Sequence, residues 1–152
     1  MPKLPKKTQD SVEKAEEWGE SSYLLDEGRY AAQLQGVESR EGAKGEYWSW
    51  VYTNLHDQEG TPHPGRQWDN TSLSQPGRLK QVFNAFGYST DSDTDEMIGE
   101  WVTLVVRQEV AQAGKRAGQL VNRVSSIAEF DPAEFDFDYE AASQGLGADA
   151  SL

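Results

Sequence analysis

Three aromatic side chains, Trp48, Trp50 and Tyr52, recur at every second position of YWSWVYTNL, so an extended chain puts all three on one face. Unpaired bases stack on such rows at about 1–3 kcal/mol per base, provided cations line the path of the sugar-phosphate backbone. Arg40, Lys44, Arg66, Arg107, Lys115, Arg116 and Arg123 lie in the strands and loops on either side of the row. Lys115 and Arg116 belong to GKRAG, a glycine-flanked tip suited to clamping phosphates. Aromatic rows also build cores, and such tips also end as solvated hairpins. Both faces of this strand carry bulk, Trp48, Trp50 and Tyr52 against Tyr47 and Val51, and only one points inward. The tryptophan face is the one expected to be exposed.

Other chemistries find less support. The chain has no cysteine, which removes disulfides, thiolate metal sites and a cysteine nucleophile. Asp91, Asp93 and Asp95 in DSDTDE start like a calcium loop, but Glu96 stands where glycine is needed and Val102 where the closing glutamate belongs, so helix or turn capping is expected. His56 and His63 flank a Pro-rich loop at a spacing no metal motif uses and are expected to be solvated. No catalytic triad, phosphate-loop or dinucleotide glycine pattern appears, and the densest carboxylates lie where nothing fixes their separation. The expectation is a protein that is not an enzyme and needs no cofactor or metal.

The elements that must hold the aromatic row follow from periodicity. NTSLSQPGRLKQVFNAFG gives a helix over Pro76 to Phe86: Ser74 as cap, Pro76 in the first turn, Gly87 as the left-handed stop. Leu79, Val82, Phe83 and Phe86 form its buried stripe, with Arg78, Lys80, Gln81 and Asn84 outward. Before the helix, GRYAAQLQGVES alternates as a half-buried strand with Tyr30, Ala32 and Leu34 on one face, and Gly36 marks a bulge or a sharp bend. The aromatic strand follows, then a loop from His56 to Gly65 and a short strand, RQWDNT. After it come WVTLVVRQEV, with Val102, Leu104, Val106 and Val110 on one face, and QLVNRVSSI. The order β-β-β-α-β-β predicts a mainly β fold, a five-stranded OB-like Greek-key barrel with one helix between strands 3 and 4. A sandwich or a half-open sheet with one helix satisfies the same order.

Charge divides the chain. Seven of the acids, with no base, fall at 128–152, so the rest holds only −5 of the −12 total. The organisation expected is a mobile charged arm at 1–22, an OB-like domain at 23–127 and a disordered acidic tail at 128–152. Phe130, Phe135, Phe137 and Tyr139, set among the tail's acids, are candidate partner-docking residues. Met1 to Lys7 is basic with no apolar stretch after it, and no run approaches membrane-spanning length, so no membrane partner is expected.

GRY in the first strand, the aromatic second strand, WDNTSL leading into RLKQVFNAFGY, IGEWVTLVV, a basic glycine loop and VNRV together resemble a phage-encoded family of OB-fold-type single-stranded DNA-binding proteins, encoded near recombination genes. The likeness covers about Leu25 to Ile127. It implies a non-enzymatic protein that coats single strands during phage replication or recombination in the host cytoplasm. The acidic, aromatic tail is similar to those by which single-stranded DNA-binding proteins recruit replication or recombination proteins of phage or host, and self-association is left open. A second expectation, from another class, is a protein-binding adaptor or virion component that docks through the tail.

Overall fold

The computed structural model describes residues 24–43, 45–112 and 114–145; the expected arm at 1–22, Lys44 and the tail from 146 to 152 lie outside them. Strands β1 (Gly28–Gly42), β2 (Gly45–Asp57), β3 (Pro62–His63), β4 (Gln67–Ser72), β5 (Trp101–Val110) and β6 (Leu120–Glu129) form one antiparallel six-stranded sheet. Its order is β3-β2-β1-β5-β6, and β4 pairs with β2 along the same edge as β3. Helix α1 (Pro76–Phe86) follows β4, and a short helix α2 (Tyr139–Ala142) follows β6. The segment read as a loop from His56 to Gly65 thus contributes β3, which pairs with Leu55 and His56.

Alternation decides which side chains enter the core. Tyr30, Ala32 and Leu34 of β1, Trp50 and Tyr52 of β2, and Val102, Leu104 and Val106 of β5 all point to one face and are buried against Val82, Phe83 and Phe86 of α1. The stop at Gly87 is as expected: its φ is 79°, its N–H donates to Asn84 O at 3.0 Å and that of Tyr88 to Phe83 O at 3.0 Å. The cap is not. Gln75 occupies that position without a side-chain bond, and the Ser74 hydroxyl instead meets that of Ser72.

The sheet is open and does not close into a barrel, which corrects the closed five-stranded expectation. Among the described residues no ladder joins β4 to β6. Helix α1 lies across that seam, and Arg78, expected to face outward, turns in and bridges it. Its Nη2 donates to Asp69 Oδ2 of β4 at 2.8 Å and to the Val124 carbonyl of β6 at 3.2 Å. Burial pushes the Asp69 carboxyl up, and the Arg78 guanidinium offsets part of that rise. A polar bridge between edges replaces the ladder that closure requires.

Residues from 128 onward are not a disordered tail as far as Gly145, a second correction. Strand β6 runs to Glu129, and a 3-10 turn at Pro132–Glu134 and α2 then cross the sheet face opposite the core. Asp131 caps the turn through Ala133 N, and Asp138 caps α2 through Glu140 N and Ala141 N. Phe135 is only 4% exposed. The acids that made the segment look solvated are in part its capping residues.

Candidate nucleic-acid interface

Trp50 and Tyr52, expected to stack on bases, are fully buried, and Trp48 is half-buried against the same core. The Trp50 ring meets Phe83 edge-on at 5.9 Å and donates Nε1–H to Thr71 Oγ1 at 2.8 Å. Tyr52 lies parallel to Phe86 at 6.4 Å, and burial raises its phenol well above the ordinary range. The choice of the tryptophan face as the exposed one is therefore corrected: the helix stripe needs a flat apolar floor, and this row provides it.

The opposite face is divided in two. Its half nearer β3 and β5 carries His56 and Trp101 and is covered by the C-terminal strap, residues 130–145. Phe137 stacks on His56 with centroids 4.1 Å apart, and Trp101 packs against Phe130, Phe137 and Tyr139. The strap is clipped by polar bonds as well: Asn54 Nδ2 donates to Ala142 O at 2.6 Å and Gln144 N to Gln33 Oε1 at 3.0 Å. Glu134 takes Arg29 Nε at 2.5 Å, and that bond holds its carboxyl below the usual range. His56 is thus buried, not solvated. His63 is half-buried and meets Asp57 Oδ2 at 2.9 Å. Burial would raise the Asp57 carboxyl, but His63 and the amides of Thr61 and Glu59 together hold it low.

The other half is an open groove of about 360 Å³ lined by Gln35, Gly36, Glu38 and Arg40 of β1, Val51 of β2, and Arg66 and Trp68 at β4. Register explains its floor. Gly36 pairs with Val51, and Val51 with Trp68, so one row crosses three strands. Gly36 sits at a register shift, as its position in the first strand predicted, and a Cβ added there would meet nothing within 4 Å. Arg66 precedes the pairing of Gln67 with Tyr52, whereas Arg40 pairs with Tyr47, so the two guanidiniums flank the row from opposite sides. Arg40 meets Glu38 at 2.5 Å; Arg66 has no carboxylate partner among the described residues.

The remaining cations lie elsewhere. Arg107 and Arg123 pair across β5 and β6, and Arg123 meets Glu109 at 3.0 Å. Lys115 and Arg116 lie in the loop beyond. This hairpin projects past the β1 end where Gly28 pairs with Val106, whereas Arg123 lies toward β4, where its charge acts on Asp69. The groove brings Arg40 and Arg66 together, and Arg107, Lys115, Arg116 and Arg123 are not among the residues that line it. Trp68, Gln35 and Val51 were not foreseen as site residues. Arg66 and Trp68 at i and i+2 in RQWDNT were the available signal for one shared face.

The fold defines a mainly β protein built on an open antiparallel sheet, with an arginine-flanked aromatic groove on the face away from its core. No protein-family model matches the chain, and no curated protein matches it.

Proposed function

We propose that this chain is a non-enzymatic, sequence-tolerant single-stranded DNA-binding protein of phage type, acting in replication or recombination in the host cytoplasm, with its strand held in the Arg40–Trp68–Arg66 groove. The observation that carries the reading is the row itself. An indole and a valine form an apolar floor, and guanidiniums stand at both ends, one of them without a carboxylate partner among the described residues. Base stacking on a flat ring between phosphate-binding cations is the general mode of single-strand capture. The strand order with its helix at the seam is read as an opened relative of the OB arrangement. The adaptor reading has less behind it, because Phe130, Phe135, Phe137 and Tyr139, the rings it would offer to a partner, contact one another and, through Phe137, Phe130 and Tyr139, His56 or Trp101.

Anisotropy of a short labelled oligo(dT), titrated with the full chain over a salt series, tests this. Trp68→Ala is expected to weaken binding at least about fivefold. Arg66→Ala is expected to weaken it and to lower the salt slope by about 1. Gly36→Leu, whose Cβ would meet nothing within 4 Å, is expected to block the groove, with the unfolding midpoint measured alongside to show that the fold is kept. Absence of binding at low salt, or binding that all three variants leave intact, overturns the proposal.

A further inference from the structure

Among the described residues four large apolar side chains stand exposed, Leu24, Leu73, Val110 and Leu120, and three of them belong to the β5–β6 hairpin or the chain clipped to it. Val110 and Leu120 are partners in the last row of the ladder before its loop. By alternation they share the core face with Val106 and Val124, yet they are 47% and 50% exposed. The row between is sealed by Leu25, whose N–H donates to Asn122 Oδ1 and whose carbonyl accepts from Gln108 Nε2, each at 2.8 Å. Leu24, one residue before that clip, stands outside the seal with them. The result is an apolar ledge with no partner on it.

The ledge belongs to a basic element of an acidic chain. From Arg107 to Arg123 the hairpin carries four bases against one acid, Glu109, while the whole chain has a net charge of −12. Lys115, near the tip, is exposed and forms no ion pair among the described residues. The strap has the opposite character, with five acids and no base over residues 130–145. Glu134 is taken by Arg29, whereas Asp131, Asp136, Asp138 and Glu140 are exposed, and so are Pro132 and Ala133. Within one chain the two surfaces lie on opposite sides of the sheet, since the strap crosses the face away from the core and the ledge continues the core face. Between two copies they are free to meet. Such a contact joins unlike surfaces, so every copy added leaves one of each kind open and the row can grow.

We propose that this chain self-associates head to tail, the basic hairpin with its Leu24–Val110–Leu120 ledge docking on the acidic strap of the next copy. The proposal stands apart from the single-strand reading and is tested without nucleic acid, by sedimentation velocity of the full chain over a concentration series at physiological ionic strength. The wild type is expected to form species that lengthen past the dimer as concentration rises. Lys115→Glu, and separately Asp136→Lys with Glu140→Lys, are each expected to weaken association at least about tenfold, because like charges then face each other. An equimolar mixture of those two variants is expected to regain it, since every surface again finds an opposite charge. Leu120→Ser is expected to weaken association through the ledge alone, and the unfolding midpoint of each variant, measured alongside, shows whether the fold is kept. A monomer at every concentration, association that stops at a closed dimer, association that neither charge reversal weakens, or a mixture that regains nothing overturns the proposal. So does a Lys115→Glu variant that associates as before but binds oligo(dT) less tightly, a result that assigns the hairpin to nucleic acid.

Discussion

Replacing Gly60 by alanine tests how firmly the C-terminal strap is seated. Gly60 lies in the turn between β2 and β3 with φ +88°, and a Cβ built on it would come 1.9 Å from the Asp136 carbonyl oxygen and 2.8 Å from its carbon. The obstruction is backbone, so the strap must shift. The alanine first costs the left-handed conformation, about 1–2 kcal/mol. Lifting the strap there also costs the bond from Asp136 N to Gln58 O, 3.0 Å long, at about 1 kcal/mol, and the Phe137–His56 stack at about 0.5–1.5 kcal/mol. Gly118→Ala is the matched control, since its φ is +85° and nothing lies within 4 Å of the added carbon. Urea unfolding of the two full-length variants should therefore differ by about 2 kcal/mol, with Gly60→Ala the less stable. Equal losses would mean that the strap does not rest on this turn, and the account of the covered half-face would fail.

Two further outcomes follow from the charged pairs. Arg78→Ala leaves Asp69, whose side chain is only 11% exposed, without its partner, and is expected to lower stability by about 3 kcal/mol at neutral pH. Burial raises the Asp69 carboxyl above its unfolded value, so its penalty applies above the folded pKa and disappears as pH falls through it; the deficit of Arg78→Ala against wild type should shrink in acid, and a deficit constant with pH would refute this. Glu134 and Asp57 are shifted the other way, so their stabilisation is complete above the unfolded values and is lost as pH falls through the depressed folded ones. Tryptophan fluorescence should report loosening around Trp101 below the ordinary carboxylate range, and Glu134→Gln should blunt that response; identical acid profiles would count against it.

Local rules read the helix and most strands correctly because their signals are local. Gly87 stops α1 and Gly36 marks a shift in β1, each by backbone geometry within a few residues. Which face of β2 turns inward is not local. Trp50 and Tyr52 are buried because Phe83 and Phe86 of α1 land on them, a pairing fixed by how the helix crosses the β4–β6 seam. Arg78 was assigned outward from helix periodicity alone, which is blind to a buried carboxylate waiting at Asp69. The C-terminal segment was misread for a related reason. Its mean charge predicts solvation, but Asp131 and Asp138 cap short helical turns, and its rings have receivers in Trp101 and His56 that lie far off in sequence.

The strap also explains why the groove is where it is. A sheet with α1 on one face leaves a second face to be covered or wetted, and the strap covers only the part carrying His56, Trp101 and Gln33. Its last polar bond, at Gln33, falls one side-chain repeat short of Gln35. Beyond that point the face carries half-buried Val51 and Trp68 among Gln35, Glu38 and two arginines. A half-buried indole between two guanidiniums is the feature of this face that the proposed capture of a stacked, negatively charged strand would use.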